Sequence, residues 1–180
     1  MYENTRGVAI RSADKNVRIA THSNVVKECF TRLNPSTIIE HGMGNSSTAL
    51  FHNLNVQNLL SFEDVDRWKK CPISCNGSRH IIKTWSLDQL QTFIRTYENI
   101  LGFVDGISDQ RIPTLECMLQ NGLHEVIEHD AESWNNSELS QRIELCKKFG
   151  YHLYQYILEN PETALYSKTE LKLENYVTVI

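Results

Sequence analysis

A turn that contains two glycines stands at residues 40–48, which read EHGMGNSST. Glycine allows a tight turn and lets a ligand approach the backbone closely, and the free amides at the start of a helix can bind anionic groups. We expect a side chain at Gly44 to fill the ligand's space or to need a forbidden φ. A dinucleotide-binding turn would have glycine or alanine at position 47. Ser47 therefore argues against a dinucleotide-using enzyme, and a turn without any ligand is the alternative interpretation.

An acidic residue, Glu63, ends the second predicted strand. In a doubly wound sheet this position lies beside the turn after the first strand, which ends at Glu40. A carboxylate there can accept hydrogen bonds from both hydroxyls of a ribose. The alternative is a solvated acid at a helix start, since Asp64 and Asp66 follow closely.

Three further polar residues stand at the ends of the fourth and fifth predicted strands. Asp105 ends the most apolar strand of the chain, and His129 and Asp130 end the next one. Because neighbouring parallel strands end at the same edge of a sheet, we expect these side chains to converge on one cleft. A carboxylate in such a cleft either binds a cation or orients another molecule, since an unpaired buried charge is costly.

The elements that position these residues alternate between strand and helix patterns. Strands are predicted at 36–40, 56–62, 80–85, 100–104 and 124–127, and helices at 25–33, 46–51, 65–70, 87–97, 111–120 and 137–149. Two last strands, 151–158 and 163–167, flank a proline-containing turn and indicate an antiparallel hairpin at the sheet edge. This alternation predicts an α/β fold with a doubly wound, mainly parallel sheet and helices on both faces.

The composition limits the classes of protein that fit. The chain has 180 residues, 41% of them hydrophobic and 22% charged, which suits one domain. Because the first residues are polar and irregular, we expect an N-terminal arm at 1–22 before a Rossmann-type domain at 23–180. A net charge of −4 argues against broad nucleic-acid binding. No apolar run approaches the length of a membrane span, and we expect no secretory signal. Five scattered cysteines fit reduced thiols in the cytoplasm.

Together these motifs resemble those of class I S-adenosylmethionine-dependent methyltransferases. The glycine turn is similar to their first motif, and the acidic end of the second strand at Glu63 is similar to their second. Asp105-Gly106 followed by Arg111 resembles a segment after their fourth strand. The resemblance covers about residues 24–168 and implies a seven-stranded sheet with one antiparallel strand. It also implies transfer of the cofactor's methyl group to a nucleophile.

The resemblance further implies a set of residues that bind S-adenosylmethionine. The two glycines would flank its methionine part, the first acid would hold the turn, and the second would bind the ribose hydroxyls. Trp85 and Ser86 fall where the adenine is usually bordered, although a core tryptophan and a helix cap explain them equally well. The full implied set is Glu40, Gly42, Gly44, Ser47, Glu63, Trp85, Ser86 and Asp105.

The implied catalytic residues are Asp105, His129 and Asp130. In metal-dependent O-methyltransferases, acids at similar places hold a divalent ion that lowers the pKa of an acceptor hydroxyl, so Asp105 and Asp130 could bind Mg²⁺. The usual paired acid is replaced by His129, which could instead be a general base. A local hydrogen-bonded pair of His129 and Asp130 is the third alternative, and the sequence leaves all three open.

The segment after the fourth predicted strand narrows the class of methyl acceptor. Residues 105–108 read DGIS and lack the Asp/Asn-Pro-Pro-aromatic motif of enzymes that methylate amino groups of nucleic acids. A compact chain also favours a small-molecule acceptor, and oxygen is the preferred atom. The alternative function is a degenerate, non-catalytic module that binds the cofactor and has an interaction role. The sequence does not set the oligomeric state.

Overall fold

The computed structural model describes residues 22–44, 46–69, 79–131, 134–158 and 162–180. The predicted arm at 1–22 lies outside the described residues, except for His22. Within these ranges, no helix is both long and apolar enough to cross a membrane.

Eight strands form one mixed sheet in the order β3-β2-β1-β4-β5-β7-β6-β8. The first five are mutually parallel. β7 lies between β5 and β6 and is antiparallel to both, and β8 is antiparallel to β6. The strands are β1 (Thr37–His41), β2 (Asn58–Phe62), β3 (Arg79–Lys83), β4 (Ile100–Val104), β5 (Glu125–His129), β6 (His152–Tyr156), β7 (Thr163–Ser167) and β8 (Tyr176–Thr178).

The described helices cover both faces of this sheet. Successive residues of β1 face opposite sides of the sheet: Ile39 belongs to one buried apolar cluster and Ile38 to the other. The first cluster includes α4, α5 and α6, and the second includes α1 and α2. The helices are α1 (Ser23–Leu33), α2 (Ser47–Asn53), α3 (Asp66–Lys69), α4 (Leu87–Thr96), α5 (Ser108–Gln120) and α6 (Asn136–Phe149). The predicted mainly parallel α/β sheet is therefore confirmed.

The predicted number of seven strands is wrong, because the C-terminal segment adds an eighth. Tyr176–Thr178 pairs with β6 through residues 154–156, and Leu153 donates its amide to the carbonyl of Ile180 at 2.9 Å. The hairpin of β6 and β7 is present, but it does not lie at the edge of the sheet. β8 covers β6, so the free edge on that side belongs to β8.

A buried ion pair joins α6 to β5. The Arg142 guanidinium makes two hydrogen bonds to the Glu128 carboxylate, of which the Nε–Oε2 bond is 3.0 Å long. The Tyr166 hydroxyl donates to the same carboxylate at 2.7 Å, and the Trp134 ring lies 4.2 Å from the guanidinium carbon. Because Glu128 is fully buried, its charge depends on these partners.

Replacing Arg142 with methionine should therefore destabilise the fold by about 3–5 kcal/mol, the usual cost of leaving one partner of a buried pair uncompensated. Urea denaturation measures the free energy of unfolding. Arg95→Met on the exposed side of α4 is the matched control and should change it by less than about 0.5 kcal/mol. Equal effects of the two substitutions would contradict the assignment of Glu128 and Arg142 as a stability-determining pair.

Candidate functional site: the carboxyl edge of the parallel strands

The turn after β1 lies against the backbone that follows β4. Gly42 has a φ of +88°, and a Cβ there would lie 2.5 Å from the carbonyl carbon and oxygen of Asp105 and from the amide of Gly106. Gly42 donates its amide to the carbonyl of Phe62 at 2.9 Å, and Asp105 donates its amide to the carbonyl of His41 at 2.7 Å. Glycine is therefore required at position 42 by both conformation and space.

Gly44 differs from Gly42 in this respect. Its φ is not in the left-handed region. Among the described residues, a Cβ there would meet the Ser47 hydroxyl at 3.4 Å and the amide of Ser46 at 3.9 Å. The expectation that a side chain at position 44 needs a forbidden φ is thus wrong. No other part of the described chain fills the Cβ position of Gly44, and the close approach of a ligand to this backbone stays a prediction.

Glu40 fastens the glycine turn to the start of α2. Its carboxylate is fully buried and accepts hydrogen bonds from the hydroxyls of Ser47 at 2.6 Å, Thr48 at 2.9 Å and Ser61 at 2.7 Å. Burial raises the pKa of Glu40 from 4.5 to about 7, although the three hydroxyl donors oppose the shift. The structure thus shows Glu40 and Ser47 holding the turn, and their contact with a cofactor stays a prediction.

Glu63 connects the end of β2 to the same turn. Its Oε2 accepts a hydrogen bond from the amide of Met43 at 2.9 Å, and its Oε1 accepts one from the amide of Val65 at 2.7 Å. A carboxylate has about four acceptor positions, so beyond these two bonds to described residues each oxygen can accept a further donor. This carboxylate is therefore placed beside the turn and still has the capacity that two ribose hydroxyls need.

Trp85 and Ser86 follow the end of β3. The Trp85 indole donates to the Thr114 hydroxyl at 2.9 Å, and its amide donates to Asp64 at 3.0 Å. The Ser86 hydroxyl accepts a hydrogen bond from the amide of Gln89 at 3.5 Å, so it acts as the N-cap of α4. Ser86 is therefore a helix cap, as the alternative interpretation expected. A contact of Trp85 or Ser86 with an adenine stays a prediction.

A hydrogen-bonded chain of three side chains, which the sequence patterns did not single out, lies next to Trp85. His41 is buried, and its Nε2 lies 3.1 Å from Oε1 of Gln110. Gln110 in turn donates to Oδ2 of Asp64 at 2.7 Å. The His41 ring occupies the space where a Cβ of Gly106 would lie. His41 directly follows the predicted strand at 36–40, so no local pattern marked it, and Gln110 depends on α5 starting three residues earlier than predicted.

The structure brings Asp105, His129 and Asp130 together, with one possible ligand atom of each within 4.8 Å of the others. Nδ1 of His129 lies 3.3 Å from Oδ1 of Asp105 and 3.6 Å from Oδ1 of Asp130. Burial lowers the pKa of His129, but the hydrogen bond and charge of Asp105 and the charge of Asp130 outweigh it and leave the pKa raised. Their catalytic roles remain predictions.

Two further described side chains contact this cluster. Nη2 of Arg111 lies 3.1 Å from Oδ1 of Asp105 and 3.4 Å from Oδ2 of Asp130. The ring of His22 packs edge-on against the ring of His129, with centroids 4.8 Å apart. Burial, followed by the charge of His129, lowers the pKa of His22 to about 4. The cluster therefore contains two acids, a permanent cation and two imidazoles.

The five parallel strands, with the antiparallel β7 between β5 and β6, form a doubly wound α/β fold of the kind that the sequence resemblance implies. Among solved structures, the chain is similar to a protein from Staphylococcus aureus assigned as a caffeoyl-CoA O-methyltransferase. The TM-score is 0.60, the sequence identity is 15%, and the match covers 82% of each chain. No protein-family model and no curated protein matches the sequence.

The two glycines of the turn should respond differently to alanine. Gly42→Ala should cost about 2 kcal/mol or more in the free energy of unfolding, since the left-handed φ alone costs about 1–3 kcal/mol and the Asp105 backbone must also move. Gly44→Ala should change it by less than about 0.5 kcal/mol. Urea denaturation of both variants provides the comparison, and a stable Gly42→Ala protein would show that the turn does not need this close contact.

Glu40 should make stability depend on pH. Its pKa in the folded protein is about 7 against 4.5 ordinarily, so between these values the unfolded chain binds fewer protons and stability falls as pH rises. The fall from this one group should be about 3 kcal/mol. It should be missing from Glu40→Gln and retained in Glu170→Gln, which changes an exposed acid. Unfolding measurements from pH 4 to 8 would test this, and parallel curves for wild type and Glu40→Gln would refute it.

Proposed function

We propose that the protein is an S-adenosylmethionine-dependent methyltransferase that methylates an oxygen atom of a small molecule. The observation that supports this most strongly is the junction of the glycine turn with Glu63, where the Met43 amide bonds to the carboxylate. The junction lies at the carboxyl edge of the parallel strands, the edge at which ligands of doubly wound sheets bind. The solved structure to which the fold is similar is itself assigned as an O-methyltransferase.

The residues at this edge fit S-adenosylmethionine. Among the described residues, nothing fills the position of a side chain at Gly44. The methionine part of the cofactor would lie against this backbone. Glu63 would accept the ribose hydroxyls through its two remaining acceptor positions, and Trp85 would border the adenine. When bound, the cofactor supplies an activated methyl group for attack by a nucleophile.

His129 is the residue best placed to accept a proton from an acceptor hydroxyl. Its Nδ1 lies 3.3 Å from Asp105, and a carboxylate beside an imidazole fixes the orientation of the ring and stabilises its protonated form. Asp105 in turn lies directly beyond the turn at Gly42, so the proton acceptor and the cofactor turn share one cleft. These contacts support a reaction in which the chain orients and deprotonates a small hydroxyl compound.

A cytoplasmic location belongs to the same proposal. Three cysteines of the described residues, Cys29, Cys117 and Cys146, are free thiols, and free thiols persist in a reducing compartment.

Isothermal titration calorimetry with S-adenosylmethionine, its demethylated product S-adenosylhomocysteine and NAD tests the cofactor directly. We expect the first two to bind and NAD to bind far more weakly. The Ser47 hydroxyl donates to Glu40, and the turn lacks the glycine or alanine that a dinucleotide-binding turn has at this position. Binding of NAD alone would instead identify a dinucleotide-using enzyme, and the methyltransferase proposal would be abandoned.

Glu63→Ala should weaken binding of S-adenosylmethionine by about 1.5–3 kcal/mol, the range for lost hydrogen bonds to a charged group. The matched control is Asp66→Ala, which removes a carboxylate nearby whose side chain is 89% exposed. Calorimetry should show unchanged affinity for the control. Should Glu63→Ala bind as tightly as wild type while circular dichroism shows an intact fold, the ribose assignment would be wrong.

A further inference from the structure

We infer that Arg111 serves as the built-in cation of the cleft, so that Asp105 and Asp130 do not form a magnesium site. Only a role of Arg111 in the reaction rests on the proposed function. Whether Asp105 and Asp130 bind an ion can be measured whatever the protein's function is.

Arg111 is fixed by both strand ends at once. Its Nε donates to the carbonyl of Gly106 at 2.8 Å, and its Nη1 donates to the carbonyl of His129 at 2.9 Å. These two backbone acceptors set the plane of the guanidinium. Nη2 is then directed between Asp105 and Asp130, at 3.1 Å and 3.4 Å. The side chain is 14% exposed, so a change of rotamer would have to break four hydrogen bonds in a largely buried place.

A divalent ion would need the positions that these donors occupy. Mg²⁺ requires oxygen ligands at about 2.0–2.1 Å in octahedral geometry. Oδ1 of Asp105 already contacts both Arg111 and His129, and the two oxygens of Asp130 face the same two residues. An ion inserted there would also stand next to a guanidinium that cannot lose its charge.

The third group of the cluster also disfavours magnesium. His129 offers an imidazole nitrogen where an all-oxygen site would offer a carboxylate, and nitrogen ligands suit transition metals better than Mg²⁺. The residues therefore do not fit a bound magnesium ion. Arg111 instead neutralises the two acids and positions Asp105 beside His129, which makes it a positioning residue in the proposed reaction.

Removing the guanidinium should expose the carboxylates to cations. In Arg111→Met, the Asp105 and Asp130 oxygens lose their main positive partner while the apolar stem of the side chain is kept. Their carboxylate oxygens, the ligand type that hard divalent ions prefer, then become available to an ion. Arg111→Lys keeps a positive charge in the cleft and should not bind one.

Electron paramagnetic resonance with Mn²⁺ as the probe measures this, because bound Mn²⁺ loses the sharp six-line signal of the free ion. At millimolar Mn²⁺, wild type, Arg111→Lys and the surface control Arg95→Met should leave the signal unchanged. Arg111→Met should bind about one ion, and Asp105→Asn added to it should abolish that binding. Circular dichroism checks the fold of each variant.

Binding of Mn²⁺ by the wild-type protein that Asp105→Asn removes would overturn the inference, and this arm does not depend on whether Arg111→Met folds. A folded Arg111→Met protein that binds no Mn²⁺ would overturn it as well. Titration of the same wild-type sample with S-adenosylmethionine separates the two proposals. If the wild-type protein binds the cofactor and does not bind Mn²⁺, both proposals are supported. If it binds neither, only the proposed function is contradicted.

Discussion

The missing side chain at Gly42 allows the turn after β1 to touch the backbone after β4, and the rest of the cleft depends on this contact. A Cβ there would lie 2.5 Å from the Asp105 carbonyl, so any other residue would push the two strand ends apart. With glycine, the Asp105 amide bonds to the carbonyl of His41 at 2.7 Å. Asp105 is thereby held where Arg111 and His129 can both reach its side chain.

Three acids at this edge have three different kinds of partner. Glu40 is surrounded by hydroxyls inside the fold, which leaves its pKa raised by burial to about 7. Glu63 accepts backbone amides and retains acceptor capacity towards the turn. Asp105 contacts a guanidinium and an imidazole. These neutral, amide and cationic partners match the three roles that we propose: Glu40 holds the turn, Glu63 binds the cofactor and Asp105 takes part in catalysis.

Local patterns were sufficient to predict most of the fold. Alternating apolar segments gave the parallel strands, and α6 begins with a capping box formed by Asn135 and Glu138 and ends at Gly150 in the left-handed conformation. Such signals act within a few residues and can be read from the chain. The β-prone residues 176–180 also indicate a strand that could add to an edge, but the local pattern does not identify β6 as the strand with which Tyr176–Thr178 pairs.

The positions of the site residues could also be predicted only in part from the local sequence. The ends of the predicted strands were enough to place Glu63, Asp105 and His129 at one edge of the sheet. The distinction between Gly42 and Gly44 could not be predicted, since it depends on how closely the β4 backbone approaches one of them. The position of Arg111 between two carboxylates likewise depends on the first turns of α5 packing across the end of β5.

A crystal structure with S-adenosylhomocysteine would show whether the glycine turn and Glu63 form the proposed cofactor site. We expect electron density along the turn at Gly42 and Gly44, with both ribose hydroxyls within hydrogen-bond distance of the Glu63 carboxylate. Density for the ligand at any other place, or a saturated crystal with none at this edge, would contradict it.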